Sequence, residues 1–268
     1  MSNQSRQVFL YLDFFQDRLV RNASAFPFAN GLNNLTNTCF MNAILNCIFG
    51  DLEICQLVLN PHHFGSYQRD RNLEFVHHFA NLVRAASCNQ SYVVTTAINN
   101  FEKIVRLDTR ELNLFPRGEQ ADAHEFLVYL IGKLKDQFDI LLPRLYPHQD
   151  RFETIFDEFR VGLRQRTYCE RNHCGLFDVR EMLSLDIEKN SNIQECLLEY
   201  FRPVNIMKCI CSSNGYGHDG KNPNCNAYKC DACHMYVGAI KNISINYLPT
   251  ILVLHLKRFR LDQASHQV

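Results

Sequence analysis

The chain has 268 residues, enough for one large domain or two small ones, and 46% of them are hydrophobic, so it can bury a substantial core. Its 28 basic and 28 acidic residues cancel and the pI is about 7.1, which excludes attachment to nucleic acid or an acidic membrane by bulk charge. Twelve cysteines, no N-terminal secretory pattern and no apolar run of the roughly 18 residues that a membrane span needs point to a reducing compartment, cytoplasm or nucleus.

Residues 1–29 read as an irregular lead-in, with a short helix or strand around Val8–Phe15, and carry no functional pattern. Gly31–Gly50, GLNNLTNTCFMNAILNCIFG, is different. Its first half is rich in asparagine and threonine, whose side chains compete for backbone hydrogen bonds and favour loops. From Phe40 onward Met41, Ile44, Leu45, Ile48 and Phe49 recur at the spacing of one helical face, with Asn37 or Thr38 as N-cap and Gly50 as stop. Cys39 therefore falls in the first helical turn. Unpaired N–H groups and the positive end of the helix dipole favour a thiolate there, which is the setting of a reactive cysteine.

Helices follow over 73–86 and 92–105 as packing elements, while 61–72 reads as a loop whose His62 and His63 lie at the surface. Residues 118–138 form the clearest amphipathic helix: Phe126, Leu127, Leu130, Ile131, Leu134 and Phe138 fill one arc, and Asp122 and Glu125 share the polar face. Acids near a helix start also simply complement its dipole. From Phe152 the period changes to alternation, with Phe159, Val161 and Leu163, then Leu183, Leu185 and Ile187, marking strands. A short helix over 193–201, capped by Ser191 with Gln194, ends at Pro203. Residues 205–226 read as a loop carrying Cys209, Cys211 and Cys225. In the last segment Cys230 and Cys233 form a CxxC, and the apolar run through Ile251 and Val253 predicts a strand buried on both faces.

Cys230 and Cys233 make one strong half of a tetrahedral zinc site. Cys169 and Cys174, with four residues between them, make a weaker second half; His173 is a substitute ligand, and Cys209, Cys211 or Cys225 are further candidates. A zinc ribbon also occurs in nucleic-acid modules, but the neutral charge argues against one here.

The run Gly31-Leu32-x-Asn34-Leu35-x-Asn37-Thr38-Cys39-Phe40-Met41-Asn42 resembles the cysteine box of the ubiquitin-specific proteases, with Thr36 where that pattern has glycine. Gln120 to Leu127 is similar to the same family's Gln-Asp-Ala-His-Glu-Phe box. Cys174-Gly175, Tyr228-x-Cys230-x-x-Cys233, Leu248-Pro249 and Leu254 to Phe259 are similar to its later segments. The resemblance spans about residues 30–260. It implies an α+β, papain-like cysteine protease fold with a thumb (31–150), zinc-ribbon fingers and part of the palm (151–250), and a palm strand (250–260). It implies Cys39 as nucleophile, Asn34 as the side chain holding the oxyanion, Asp122 and Glu125 as contacts for the basic tail of ubiquitin, and structural zinc on Cys169, Cys174, Cys230 and Cys233. The implied activity is release of ubiquitin from proteins at its C-terminal isopeptide bond, with ubiquitin and ubiquitinated proteins as partners and neither nucleic acid nor membrane. The family's histidine box, Tyr-x-Leu-x-x-Val-x-x-His-x-Gly, is not matched: His266 lies in Ala-Ser-His-Gln, and His255 reads as a packed palm residue. The domain is therefore expected to be C-terminally incomplete, with an inactive ubiquitin-binding scaffold as the alternative.

Overall fold

The computed structural model describes residues 31–67, 70–87, 91–149, 154–188, 190, 192–207 and 227–258. The lead-in, Cys209, Cys211, Cys225 and His266 lie outside the described residues. The chain divides at Asp157/Glu158 into two compact units, one helical and one built on sheets.

The helical unit contains α1 (Cys39–Phe49), α2 (Leu52–Leu59), α3 (Pro61–Tyr67), a 3-10 turn (Arg71–Leu73), α4 (Glu74–Ser87), α5 (Ser91–Asp108) and α6 (Ala123–Leu145). Helix α1 packs on α6, and α4 packs on both α5 and α6. The α6 stripe expected from the sequence is buried from Phe126 to Leu142. Its aromatics anchor the core: Phe40 lies 5.5 Å from Phe115 and 5.6 Å from Phe126, centroid to centroid, at separations where ring pairs attract beyond their area. The helix differs from expectation at both ends. Residues 118–121 precede it and Asp122 is its N-cap, while the C-terminal end runs past Pro143 to Leu145, because loss of one rung in the final turn is tolerated where the helix is about to stop.

Residues 61–67 form a helix and not the expected loop, and of the two histidines expected at the surface one is buried. Asp51 caps α2 by accepting the Ile54 N–H at 2.9 Å, and Asn60 then joins α2 to α3 with Pro61 at the first helical position, where its fixed φ and missing N–H cost nothing. His62 is exposed, but His63 is 3% exposed, with Nδ1 3.1 Å from the Leu57 carbonyl and its ring edge-on to Phe138.

The sheet unit contains β1 (Val161–Cys169), β2 (Cys174–Glu181), β3 (Leu183–Asp186), α7 (Ile193–Tyr200), β4 (Val204–Ile206), β5 (Tyr228–Cys230), β6 (Met235–Val237), β7 (Ala239–Tyr247) and β8 (Leu254–Lys257). Strands β2, β1, β7 and β4 form an antiparallel sheet in that order, β3 pairs in parallel with β8, and β5 with β6 makes a hairpin. Val161, Leu163, Leu183, Leu185, Cys196, Leu197 and Phe201 are its core, on the faces that alternation assigned. Gly162 faces Tyr247 at a register shift, where an added Cβ would sit 2.8 Å from the tyrosine Cβ, so the bulge requires glycine. Helix α7 is capped by Asn192, whose Oδ1 accepts the Glu195 N–H at 2.9 Å; the expected cap, Ser191, lies outside the described residues. Ile251–Val253 precede β8 rather than belonging to it, and β8 is half-buried, not buried on both faces.

Candidate active site and metal cluster

Cys39 is the first residue of α1 and is exposed. The loop before it is fixed by side-chain amides. Asn42, 8% exposed, donates Nδ2 to the carbonyls of Leu32 at 3.3 Å and Asn33 at 3.1 Å. Asn33 donates to Thr95 Oγ1 at 2.6 Å, and Asn37 donates to the Gly118 carbonyl at 2.7 Å, tying the loop to α5 and to the turn that leads into α6. The left-handed residue is Asn37, at φ 55°, and not Thr36, so a threonine in place of the pattern's glycine is tolerated. Asparagine is one of the few side chains that adopt this conformation readily.

Thr38 is the N-cap, yet its hydroxyl makes no capping bond to the helix. It accepts the Leu35 N–H at 3.2 Å, and both its N–H (2.8 Å) and its hydroxyl (3.2 Å) donate to Asn34 Oδ1. Asn34 itself is exposed. Cys47 is exposed as well, whereas Cys55 is buried, and that burial, with Asp51 nearby, pushes its thiol up to about 12. The two carboxylates carried over by resemblance do not share a helical face. Asp122 lies outside α6 and spends one oxygen on the His124 N–H at 2.6 Å, whereas Glu125 is exposed in the first turn.

Four candidate metal ligands come together in the sheet unit, where the β1–β2 turn meets the β5–β6 hairpin. Asn172, at φ 61°, and His234, at φ 56°, reverse the chain at the two turns, and the Glu170 N–H donates to the Gly238 carbonyl at 3.1 Å, holding one turn to the strand beside the other. Ligand atoms of Cys169, His173, Cys230 and Cys233 all lie within 4.8 Å of one another. Four-coordinate zinc, with bonds of about 2.3 Å to sulfur and 2.0–2.1 Å to nitrogen, holds its ligand atoms about 3.5–3.8 Å apart. The observed separations are 3.8 Å for Cys169 Sγ to Cys233 Sγ, and 3.7, 3.0 and 3.9 Å from His173 Nδ1 to the sulfurs of Cys169, Cys233 and Cys230, so the donor set fits the ion. Burial works against a charged Cys169, but the Arg171 and His173 N–H groups and the adjacent thiols bring it down to about 7. Cys174 is the correction. It is exposed outside the cluster, because β2 begins at this residue and its sulfur turns to the Gly175 carbonyl at 3.7 Å; the neighbouring His173 fills the fourth position.

An exposed cysteine thus opens a helix behind an amide-clamped loop, and in the sheet unit of this α+β chain a Cys/His cluster that could hold a metal ion sits at strand turns. The chain belongs to the ubiquitin carboxyl-terminal hydrolase family, whose model matches residues 30–267. It is 27% identical over 242 residues to ubiquitin carboxyl-terminal hydrolase 25 of Arabidopsis thaliana, an alignment covering 85% of this chain and 33% of that one. It is 25% identical over 234 residues to human ubiquitin carboxyl-terminal hydrolase 17-like protein 6, covering 85% and 51%. The fold is similar to that in the SAGA Ubp8/Sgf11/Sus1/Sgf73 DUB module bound to ubiquitin aldehyde, with TM-score 0.66 and 22% identity over 98% of this chain and 55% of that one. A second structure of the Ubp8-Sgf11-Sgf73-Sus1 module gives TM-score 0.60 at 20% identity, over 97% and 54%. The chain thus spans a third to about half of these curated relatives.

Proposed function

We propose that this protein is a cysteine-type deubiquitinase that cleaves the bond after the C-terminal glycine of ubiquitin. The observation that carries the reading is the clamped loop that presents exposed Cys39 at the start of α1 with Asn34 held beside Thr38. The Cys39 sulfur attacks the glycine carbonyl carbon, and the carbonyl π electrons move to oxygen. Asn34 Nδ2 and backbone N–H groups at the helix start stabilise that oxyanion, which collapses to a thioester as the lysine amine leaves; water then releases ubiquitin. By the family resemblance a histidine takes the thiol proton and returns it to the leaving amine; among the described residues none falls on the family's histidine box.

Ubiquitin is the proposed partner, a reading supported by the Ubp8 modules bound to ubiquitin aldehyde and to monoubiquitin. Glu125 and the outer oxygen of Asp122 are the proposed contacts for the basic ubiquitin tail. Zinc is proposed as a structural ion on Cys169, His173, Cys230 and Cys233, where it would crosslink two turns. All eight described cysteines are free, which supports the proposed cytoplasmic or nuclear location.

The test is incubation with ubiquitin bearing a C-terminal electrophile, followed by peptide mapping, and hydrolysis of a fluorogenic ubiquitin C-terminal amide. Covalent capture at Cys39, abolished by Cys39→Ala, is the expected result. Ubiquitin binding without capture would favour the scaffold alternative.

A further inference from the structure

We propose that Thr38 is a positioning residue for the oxyanion donor: it clamps the oxygen of the Asn34 amide so that the amide nitrogen is left to face the reacting carbonyl. The inference rests on the deubiquitinase reading above and adds a residue to which sequence reasoning gave only a capping role.

Thr38 is fully buried, at 0% exposure, and its backbone N–H lies 2.8 Å from the side-chain oxygen of Asn34. A backbone N–H can only donate, so the atom it meets is the amide oxygen; this settles which end of an otherwise ambiguous amide points inward. The hydroxyl adds a second bond at 3.2 Å to the same oxygen. The same hydroxyl accepts the Leu35 N–H at 3.2 Å on one of its two lone pairs, while its single proton goes to Asn34, whose oxygen can only accept. Both acceptor sites of the Asn34 oxygen are thus taken from the protein side, and the Nδ2 group, the only donor the side chain has, is turned away from Thr38. A threonine at this position would ordinarily cap the helix through its hydroxyl. Here that capping bond is absent, and the hydroxyl serves the loop instead. Asn34 is exposed and would otherwise rotate its amide freely, so two bonds to one oxygen preorganise it before substrate arrives.

The experiment compares affinity for ubiquitin aldehyde with affinity for plain ubiquitin. In the aldehyde complex the Cys39 sulfur bonds to the carbonyl carbon, the π electrons go to oxygen, and the thiol proton leaves sulfur for that oxygen or for solvent, so the complex carries the oxyanion position that plain ubiquitin lacks. Loss of one oxyanion donor costs about 10²–10³ in rate, and a misaligned donor costs part of that. Thr38→Val is therefore expected to weaken aldehyde binding about tenfold or more, while plain ubiquitin affinity and the rate of Cys39 alkylation by iodoacetamide stay within about twofold. Thr38→Ser, which keeps the hydroxyl, is expected to retain aldehyde affinity, and this guards against a valine that merely disturbs the loop. In an Asn34→Ala background Thr38→Val should have no further effect, because its effect runs through Asn34. Equal aldehyde binding by Thr38→Val, a parallel loss of plain ubiquitin binding, or a full effect persisting without Asn34 would each overturn the inference while leaving the deubiquitinase reading intact. If the unmutated protein binds the aldehyde no more tightly than ubiquitin, the deubiquitinase reading falls, and the inference with it.

Discussion

Asn37 carries two duties at one residue, a left-handed backbone at φ 55° and a 2.7 Å hydrogen bond to the Gly118 carbonyl. The left-handed conformation costs an ordinary residue about 1–2 kcal/mol, and the hydrogen bond contributes about 1 kcal/mol. Asn37→Ala is accordingly expected to lower stability by about 2 kcal/mol, and Asn37→Gly by less, since glycine restores the dihedral but not the bond; thermal melts of the two variants check this order. Cys39 yields a second prediction at this scale. It should be the first cysteine alkylated in a brief iodoacetamide treatment followed by peptide mapping, ahead of Cys47, which is exposed but in the last turn of α1, at the negative end of the dipole, and of Cys55, buried with its thiol raised to about 12. Earlier labelling of Cys47 would show that exposure and not the helix start governs reactivity. Cys39 and Asn34 were legible in the sequence because a fixed-spacing motif names them. The work of Thr38 and Asn42 was not, because it consists of bonds to loop atoms whose positions depend on how the loop closes.

Strong periodicity marked the long elements, and weak periodicity hid the short ones. Helices α4, α5 and α6 have continuous apolar stripes, whereas α2 and α3 are short, separated by the single residue Asn60, and α3 contains Pro61 and Gly65. Strand β2 escaped for a related reason: Leu176 and Phe177 are adjacent and 60% and 61% exposed, which breaks alternation. The candidate metal ligands show the same limit: the match of Cys174-Gly175 to the family pattern put the doubt on Cys169, with His173 as its substitute, whereas Cys169 stays in the cluster and Cys174 lies outside it. A one-residue difference at a strand start turns the side chain to the other side. Cys174→Ser is therefore expected to keep one zinc per chain, and His173→Ala to lose it or hold it far more weakly, as read by metal analysis after dialysis. Structural zinc of this kind contributes on the order of 10 kcal/mol in small domains. Chelation should then strip hydrogen-exchange protection first from 228–237, the hairpin that carries Cys230 at the end of one strand and Cys233 in its turn. Zinc retained by His173→Ala but lost by Cys174→Ser would restore the all-cysteine site.

At the scale of the whole molecule, the two units rest on different chemistry, an aromatic core that takes in the buried His63 in one and a small apolar core plus a thiol cluster in the other. This gives acid two separable targets. In the helical unit burial lowers His63, His77 and His78 below the ordinary value of 6.5; for His63 the Leu57 carbonyl opposes this and neighbouring His62 adds to it. A histidine with a depressed folded value takes up a proton more readily when unfolded. Its contribution is therefore fully present above about pH 6.5 and is lost as pH falls below that through the folded value. Acid would also displace a metal held on the thiol cluster, so a fall in melting temperature between pH 7.5 and 5.5 does not by itself identify the histidines. The difference between two proteins does, because both lose metal alike. His63→Gln removes the proton site, and although the variant starts less stable at pH 7.5, its melting temperature should fall less steeply with acid than that of the unmutated protein. Parallel curves would mean that His63 does not titrate in this range and that the acid sensitivity lies elsewhere.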